Sequence, residues 1–160
     1  MRTIEGHLNS VTSVSFSPDG AHIASGSEDH TVHMWNTRTG HLLATLHGHE
    51  DVVSSVAFAH HNDHIASGSG DCTIRLWNTG TGEVENVFRG HRAMITAVAF
   101  SKDSTHIASG SGDHSVCIWD VVSGGLEVKC EGHRGIVTSV AFSPNDASVA
   151  SGCEDVSVCL

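Results

Sequence analysis

His22-Ile-Ala-Ser-Gly-Ser-Glu-Asp-His-Thr-Val-His-Met-Trp35 returns as His64-Ile-Ala-Ser-Gly-Ser-Gly-Asp-Cys-Thr-Ile-Arg-Leu-Trp77, and again as His106-Ile-Ala-Ser-Gly-Ser-Gly-Asp-His-Ser-Val-Cys-Ile-Trp119. Each copy begins 42 residues after the one before it. The same interval governs Gly-His at 6–7, 48–49, 90–91 and 132–133, and Phe16, Phe58, Phe100 and Phe142. A fourth Ala-Ser-Gly stands at 150–152, followed by Asp155. Self-similarity at a period of roughly 20–50 residues marks an architecture of stacked or radially arranged units.

Each unit reads as short strands between turns. Val11 to Phe16 alternates and is rich in β-branched residues, which predicts a strand. Ser17-Pro18-Asp19-Gly20 is a turn, with Pro and Gly at the places such turns favour. His22 to Ser27 is a second strand, Glu28-Asp29-His30 reverses the chain, and Thr31 to Trp35 is a third. Asn36 to Gly40 turns once more before His41 to Leu46. Four strands per unit make an antiparallel meander, and no segment has a helical period. Side-chain size then points to a radial arrangement. The first two strands carry small residues such as Ser13, Ser15, Ala24, Ser25 and Gly26. Bulk arrives in the outer two, as Met34, Trp35, Leu42, Leu43 and Leu46. Sheets that converge on an axis need that gradient, whereas a flat sandwich does not. The expected fold is all-β, a partial propeller of four blades with the last one incomplete. The units run over 5–46, 47–88, 89–130 and 131–160. Residues 1–4 are expected to be a remnant of the outer strand of a preceding blade.

Charge narrows the function. Lys and Arg number 8 against 18 Asp and Glu, a formal net charge of −10. Such a chain is a poor candidate for nucleic acid, which demands clustered cations, and anionic membrane surfaces repel it. The longest apolar run, Val52 to Ala59, falls well short of the about 20 residues of a membrane span. The N-terminal residues carry no apolar core of a signal peptide. Five cysteines without an Asn-x-Ser/Thr acceptor fit a reducing, cytoplasmic setting.

These marks, Gly-His, Ala-Ser-Gly-Ser, an Asp and then Trp35-Asn36, Trp77-Asn78 and Trp119-Asp120, resemble the WD-repeat family over nearly the whole chain. The phrase Val-Thr-Ser-Val-Ala-Phe-Ser-Pro with Ile-Ala-Ser-Gly is similar to the repeat region of fungal NACHT-WD incompatibility proteins. The resemblance implies a propeller that binds proteins, here as the sensor part of a larger NLR-like protein. It also implies hydrogen-bonded tetrads of His7, Ser25, Asp29 and Trp35, of His49, Ser67, Asp71 and Trp77, and of His91, Ser109, Asp113 and Trp119. His133, Ser151 and Asp155 form a fourth set whose Trp place falls one position beyond Leu160. A buried indole N–H needs an acceptor, which a serine hydroxyl supplies.

Ser, His and Asp in hydrogen-bonding order also suggest a hydrolase. A catalytic trio is expected once and in a cleft, not in every unit beside a Trp, and no Gly-x-Ser-x-Gly elbow is present. A metal-dependent enzyme would draw on His60-His61-Asn62-Asp63-His64. There His64 shares a strand-start place with His22 and His106, leaving His60 and His61 in a solvated turn. No metal, no cofactor and no catalysis are expected, and the cysteines are expected to be buried free thiols. A third reading is a truncated gene product without a role of its own.

The rim built from the Gly-His loops and the Asp turns is the expected recognition face for a protein or peptide. Asn9, Glu28, His30, Asp51, Arg92, Met94, His114, Arg134 and Glu154 lie there, and these places vary while the framework repeats. A homodimer closing an eight-bladed ring is the expected assembly, since four blades in an arc expose a sheet face at each end.

Overall fold

The computed structural model describes residues 3–160. The first blade comprises β1 (Val11–Phe16), β2 (His22–Ser27), β3 (Val32–Asn36) and β4 (Leu42–Leu46). The second has β5 (Val53–Phe58), β6 (His64–Ser69), β7 (Thr73–Asn78) and β8 (Val84–Arg89). The third has β9 (Ile95–Phe100), β10 (His106–Ser111), β11 (Ser115–Asp120) and β12 (Leu126–Glu131). The fourth has only β13 (Val137–Phe142), β14 (Val149–Cys153) and the two-residue β15 (Val158–Cys159). Every sheet is an antiparallel meander in chain order, and no helix occurs among the described residues. β1 packs on β5, β5 on β9 and β9 on β13, so the innermost strands form the hub of a propeller arc.

The hub explains the small residues. Gly26 lies so close to the next blade that an added Cβ would stand 2.6 Å from Val53 Cγ1. A Cβ on Gly68 would meet Ile95 Cγ2 at least as closely, and one on Gly110 would stand 2.6 Å from Val137 Cγ1. A β-branched residue of each blade therefore fills the space its predecessor's glycine leaves free. Each innermost strand also carries a bulge, which skips Thr12, Ser54, Thr96 and Thr138 in the ladder to the second strand. A bulge re-aims the side chain it frees. The hydroxyls of Thr12, Ser54 and Thr96 donate across the junction to the carbonyls of Val53, Ile95 and Val137. Ser13 Oγ accepts the Val56 N–H at 3.1 Å, and Ser55 Oγ accepts that of Val98 at 3.1 Å. The small side chains thus bond across the hub as well as packing there.

Two apolar clusters run between the blades. One holds Ile74, Leu76, Phe88, Ile95, Ile107 and Trp119. The other holds Val32, Met34, Leu46, Val53, Ile65 and Trp77.

Thr3 and Ile4 lie outside any strand, and Met1 and Arg2 lie outside the described residues. Leu42 and Leu43 are about half exposed, because β4 is an edge strand of the arc. The expectation of buried thiols needs correction, since it holds for Cys117 alone. Cys72 is half-buried in a turn, Cys153 is half-buried at the end of β14, and Cys130 and Cys159 are exposed on β12 and β15.

The close approach at the hub yields a direct prediction. Gly68→Ala is expected to destabilise by about 1–3 kcal/mol through overpacking against Ile95. Gly152→Ala, whose nearest non-adjacent atom is the rotatable Ser139 Oγ, costs much less. Urea midpoints of the two variants check this, and equal losses would contradict the account of the junctions.

Candidate functional site

The repeated polar residues meet at one end of each blade. Trp35 Nε1 donates to Ser25 Oγ at 2.8 Å, and His7 Nε2 lies 2.7 Å from the same oxygen. His7 Nδ1 lies 2.8 Å from Asp29 Oδ2. The second blade repeats this, with Trp77 to Ser67 at 2.7 Å, Ser67 to His49 at 2.7 Å and His49 to Asp71 at 2.8 Å. The third has Trp119 to Ser109 at 2.8 Å, Ser109 to His91 at 2.8 Å and His91 to Asp113 at 3.0 Å. Since the indole can only donate, the serine accepts from it and donates its own proton to His Nε2. The imidazole is then neutral, with its proton on Nδ1 donated to the carboxylate.

The fourth blade departs from this geometry. His133 Nε2 stays 2.8 Å from Ser151 Oγ, but Nδ1 stands 3.4 Å from Asp155 Oδ2 and 3.1 Å from Ser157 Oγ.

Each carboxylate does more than orient a histidine. It accepts the backbone N–H of the next rim residue, from Leu8 at 2.8 Å, Glu50 at 3.1 Å, Arg92 at 2.8 Å and Arg134 at 2.8 Å. It also accepts the hydroxyl of Thr31, Thr73, Ser115 or Ser157. Ser27, Ser69 and Ser111 bind the Asp N–H and, through their hydroxyls, the carbonyls of Asn9, Asp51 and Ala93. Reading the sequence alone missed these two sets, although both keep the 42-residue interval.

The two turns at this end are tied together by backbone bonds: Glu28 to Ser10, Gly70 to Val52, Gly112 to Met94 and Glu154 to Ile136. On that platform Asn9, Glu28, His30, Asp51, Arg92, Met94, His114, Arg134 and Glu154 are all exposed. The residue after each tetrad Asp is left-handed, with φ of 68° at His30, 66° at Cys72, 69° at His114 and 62° at Val156. His60 and His61 lie exposed in turns at the other end.

Ser67 and Ser109 are fully buried, so neither hydroxyl is open to a substrate. Ser151 and His133 border a cavity of about 380 Å³ lined by Val116, Ile118, Cys130, Phe142 and Val149. Its walls stand 42 residues after Ile74, Leu76, Phe88, Phe100 and Ile107, which surround Trp119 in the blade before. Its lining is the counterpart of the residues packed around Trp119.

A family profile described as "WD domain, G-beta repeat" matches residues 1–36, 40–78, 82–120 and 124–159. The chain belongs to the WD-repeat family. Its repeats are similar to Protein Notchless of Drosophila melanogaster, 53% identical over 45 residues, which are 27% of this chain and 9% of that protein. They are also similar to vegetative incompatibility protein HET-E-1 of Podospora anserina, 54% identical over 39 residues, 24% of this chain and 3% of that protein. A guanine nucleotide-binding protein subunit beta of Oryza sativa subsp. indica is 44% identical over 43 residues, 27% of this chain and 11% of that protein. These matches span only a small part of each relative. Among solved structures, the computationally designed Ika4 protein superposes with a TM-score of 0.87 at 34% identity, covering 98% of this WD-repeat chain and 93% of that one.

The networks make stability depend on pH. Burial pushes His49 and His91 below the usual histidine value, against the pull of Asp71 and Asp113. Burial alone would raise Asp71, but hydrogen bonds from Thr73, His49 and Glu50 prevail and hold it at about 2. The unfolded chain therefore binds more protons than the folded one in two windows, below about pH 6.5 through the histidines and below about pH 4 through the aspartates. The urea midpoint is expected to fall as pH drops through the first window and more steeply through the second. A midpoint that rises on acidification from neutral pH to about 5 contradicts this assignment.

Proposed function

We propose that this WD-repeat chain is a protein-interaction scaffold that binds a protein or peptide through the rim of Gly-His loops and Asp turns, and that it catalyses nothing. The carrying observation is a repeated hydrogen-bonded platform beneath nine exposed side chains that differ from blade to blade. The serines that a hydrolase would need are committed to indoles in the first three blades. The likeness to an incompatibility protein supports a place in the sensor part of a larger NLR-like protein, and five free thiols are compatible with a cytoplasmic setting.

Both rim cations, Arg92 and Arg134, stand on the third and fourth blades, Arg134 together with Glu154, while Glu28 and Asp51 stand on the first two. A partner segment with acidic residues over the third blade fits that distribution. Arg is enriched among the few residues that dominate binding energy. Arg92→Ala and Arg134→Ala should each weaken the complex by more than about 1 kcal/mol, whereas Asn62→Ala and Lys102→Ala at the other end should not. Equal losses from both ends, read by calorimetry, would reject the rim.

A second reading concerns assembly, and the two end blades favour it. Val11, Val14 and Phe16 are 53%, 66% and 63% exposed, where Val53, Val56 and Phe58 are 0%, 6% and 7%. At the opposite end no residue of another blade stands over Gly152, and the Thr138 hydroxyl bonds only to the carbonyl of Gly152. The first and fourth blades thus present the two halves of one junction. Two copies joined head to tail would make both junctions and close eight blades about a two-fold axis, within the usual propeller range. Each apolar side chain so buried contributes about 1.5–3 kcal/mol. Light scattering at micromolar concentration is expected to give twice the chain mass, with Val14→Asp returning the monomer. A monomer before substitution, or a dimer indifferent to Val14→Asp, contradicts ring closure.

A further inference from the structure

The fourth network differs from the others in the atoms it gathers. Cys153 stands where the earlier blades have Ser27, Ser69 and Ser111, and Cys159 stands where they have His33, Arg75 and Cys117. One donor atom from each of His133, Cys153 and Asp155 lies within 4.8 Å of the others. Cys159 Sγ lies 3.9 Å from His133 Nδ1, outside that mutual trio, and Asp155 Oδ2 is 3.4 Å from the same nitrogen; a turn of the exposed Cys159 side chain would bring it in as a fourth donor. Metal–nitrogen bonds of about 2.0 Å and metal–sulfur bonds of about 2.3 Å set neighbouring donors about 3.3–3.8 Å apart in a tetrahedron. The two measured separations lie at or just beyond that range.

We propose that His133 Nδ1, Cys153 Sγ, Asp155 and Cys159 Sγ form a binding site for a thiophilic divalent cation of the zinc class.

The hydrogen bonding of this blade suits the task. A histidine that ligates through Nδ1 needs its proton on Nε2, donated to a neighbour that fixes the ring. Ser151 Oγ stands 2.8 Å from His133 Nε2 and has lone pairs to accept a proton from it, which frees Nδ1 for an ion. Without the ion Nδ1 faces Ser157 Oγ at 3.1 Å, and that hydroxyl donates to Asp155, so the ion would displace this contact. The His–Asp contact is 3.4 Å here against 2.8–3.0 Å in the first three blades. Binding converts both thiols to thiolates and releases their protons to solvent. The ion would join the His133 loop to β14 and β15, directly beneath Arg134 and Glu154 of the rim.

The other clusters lack this chemistry. His7 and His33 stack with ring centroids 3.7 Å apart and planes 9° from parallel, so their in-plane lone pairs do not converge on one ion. His106, Asp120 and Glu127 offer no thiolate.

Titration of the reduced, metal-free chain with Co²⁺ tests the site. One equivalent is expected to develop the visible bands of a tetrahedral ion together with thiolate-to-cobalt charge transfer, and Zn²⁺ is expected to bleach both. Cys153→Ser restores the residue of the other three blades, so the fold is retained; it and Cys159→Ser are each expected to weaken binding by at least about tenfold. A His60→Ala/His61→Ala variant is expected to bind as before. Absence of charge transfer, affinity unchanged by Cys153→Ser, or binding lost with His60 and His61 would each overturn the proposal.

Discussion

A buried indole N–H must find an acceptor, and the structure answers that demand in the same way three times. The serine that accepts from Trp35, Trp77 or Trp119 has one proton left, which it gives to a histidine, and the histidine passes its own to an aspartate. The aspartate then has oxygen to spare for the loop backbone and a neighbouring hydroxyl. A demand raised in the core is thus met at the surface, and it fixes the turns that face solvent. A buried network of this kind stabilises only when every member is satisfied. Ser, His and Asp must therefore recur together, while the place before each Asp is Glu at 28 and 154 and Gly at 70 and 112.

The hub imposes a second, independent order. A glycine in each second strand admits a β-branched residue from the next blade, and a bulged Thr or Ser sends its hydroxyl across the same junction. A side chain of the next blade packed directly on each glycine leaves little room for adjustment at the junction. The rim residues of adjacent blades are thereby set side by side as one surface. The proposed recognition at the rim would thus depend on residues that no partner touches.

Much of this was legible in the sequence because a strict interval makes every conserved position visible without an alignment. The strands were read to within a residue, and the members of the tetrads and the rim follow from the interval and from the family resemblance. What stayed hidden depends on how side chains are aimed. The alternation of β1 is continuous in the sequence, yet the bulge at Thr12 breaks its pairing and turns a surface hydroxyl into a junction donor. Thr31 and Ser27 share the interval but looked like ordinary turn residues, because only the folded turn carries them to Asp29. The convergence of Cys153 and Cys159 on His133 was likewise invisible, since β14 and β15 had first to pair in register.

The central claim is that the Trp-Ser-His-Asp set acts as one stabilising unit that supports the rim. A double-mutant cycle on Trp77→Phe and His49→Ala, read by urea unfolding, tests it most directly. Each single change leaves Ser67 short of a partner and should cost about 1–3 kcal/mol. The double variant is expected to fall short of the sum by about 0.5–3 kcal/mol, as members of one network do. Additive losses, or singles that leave the midpoint unmoved, would contradict the account.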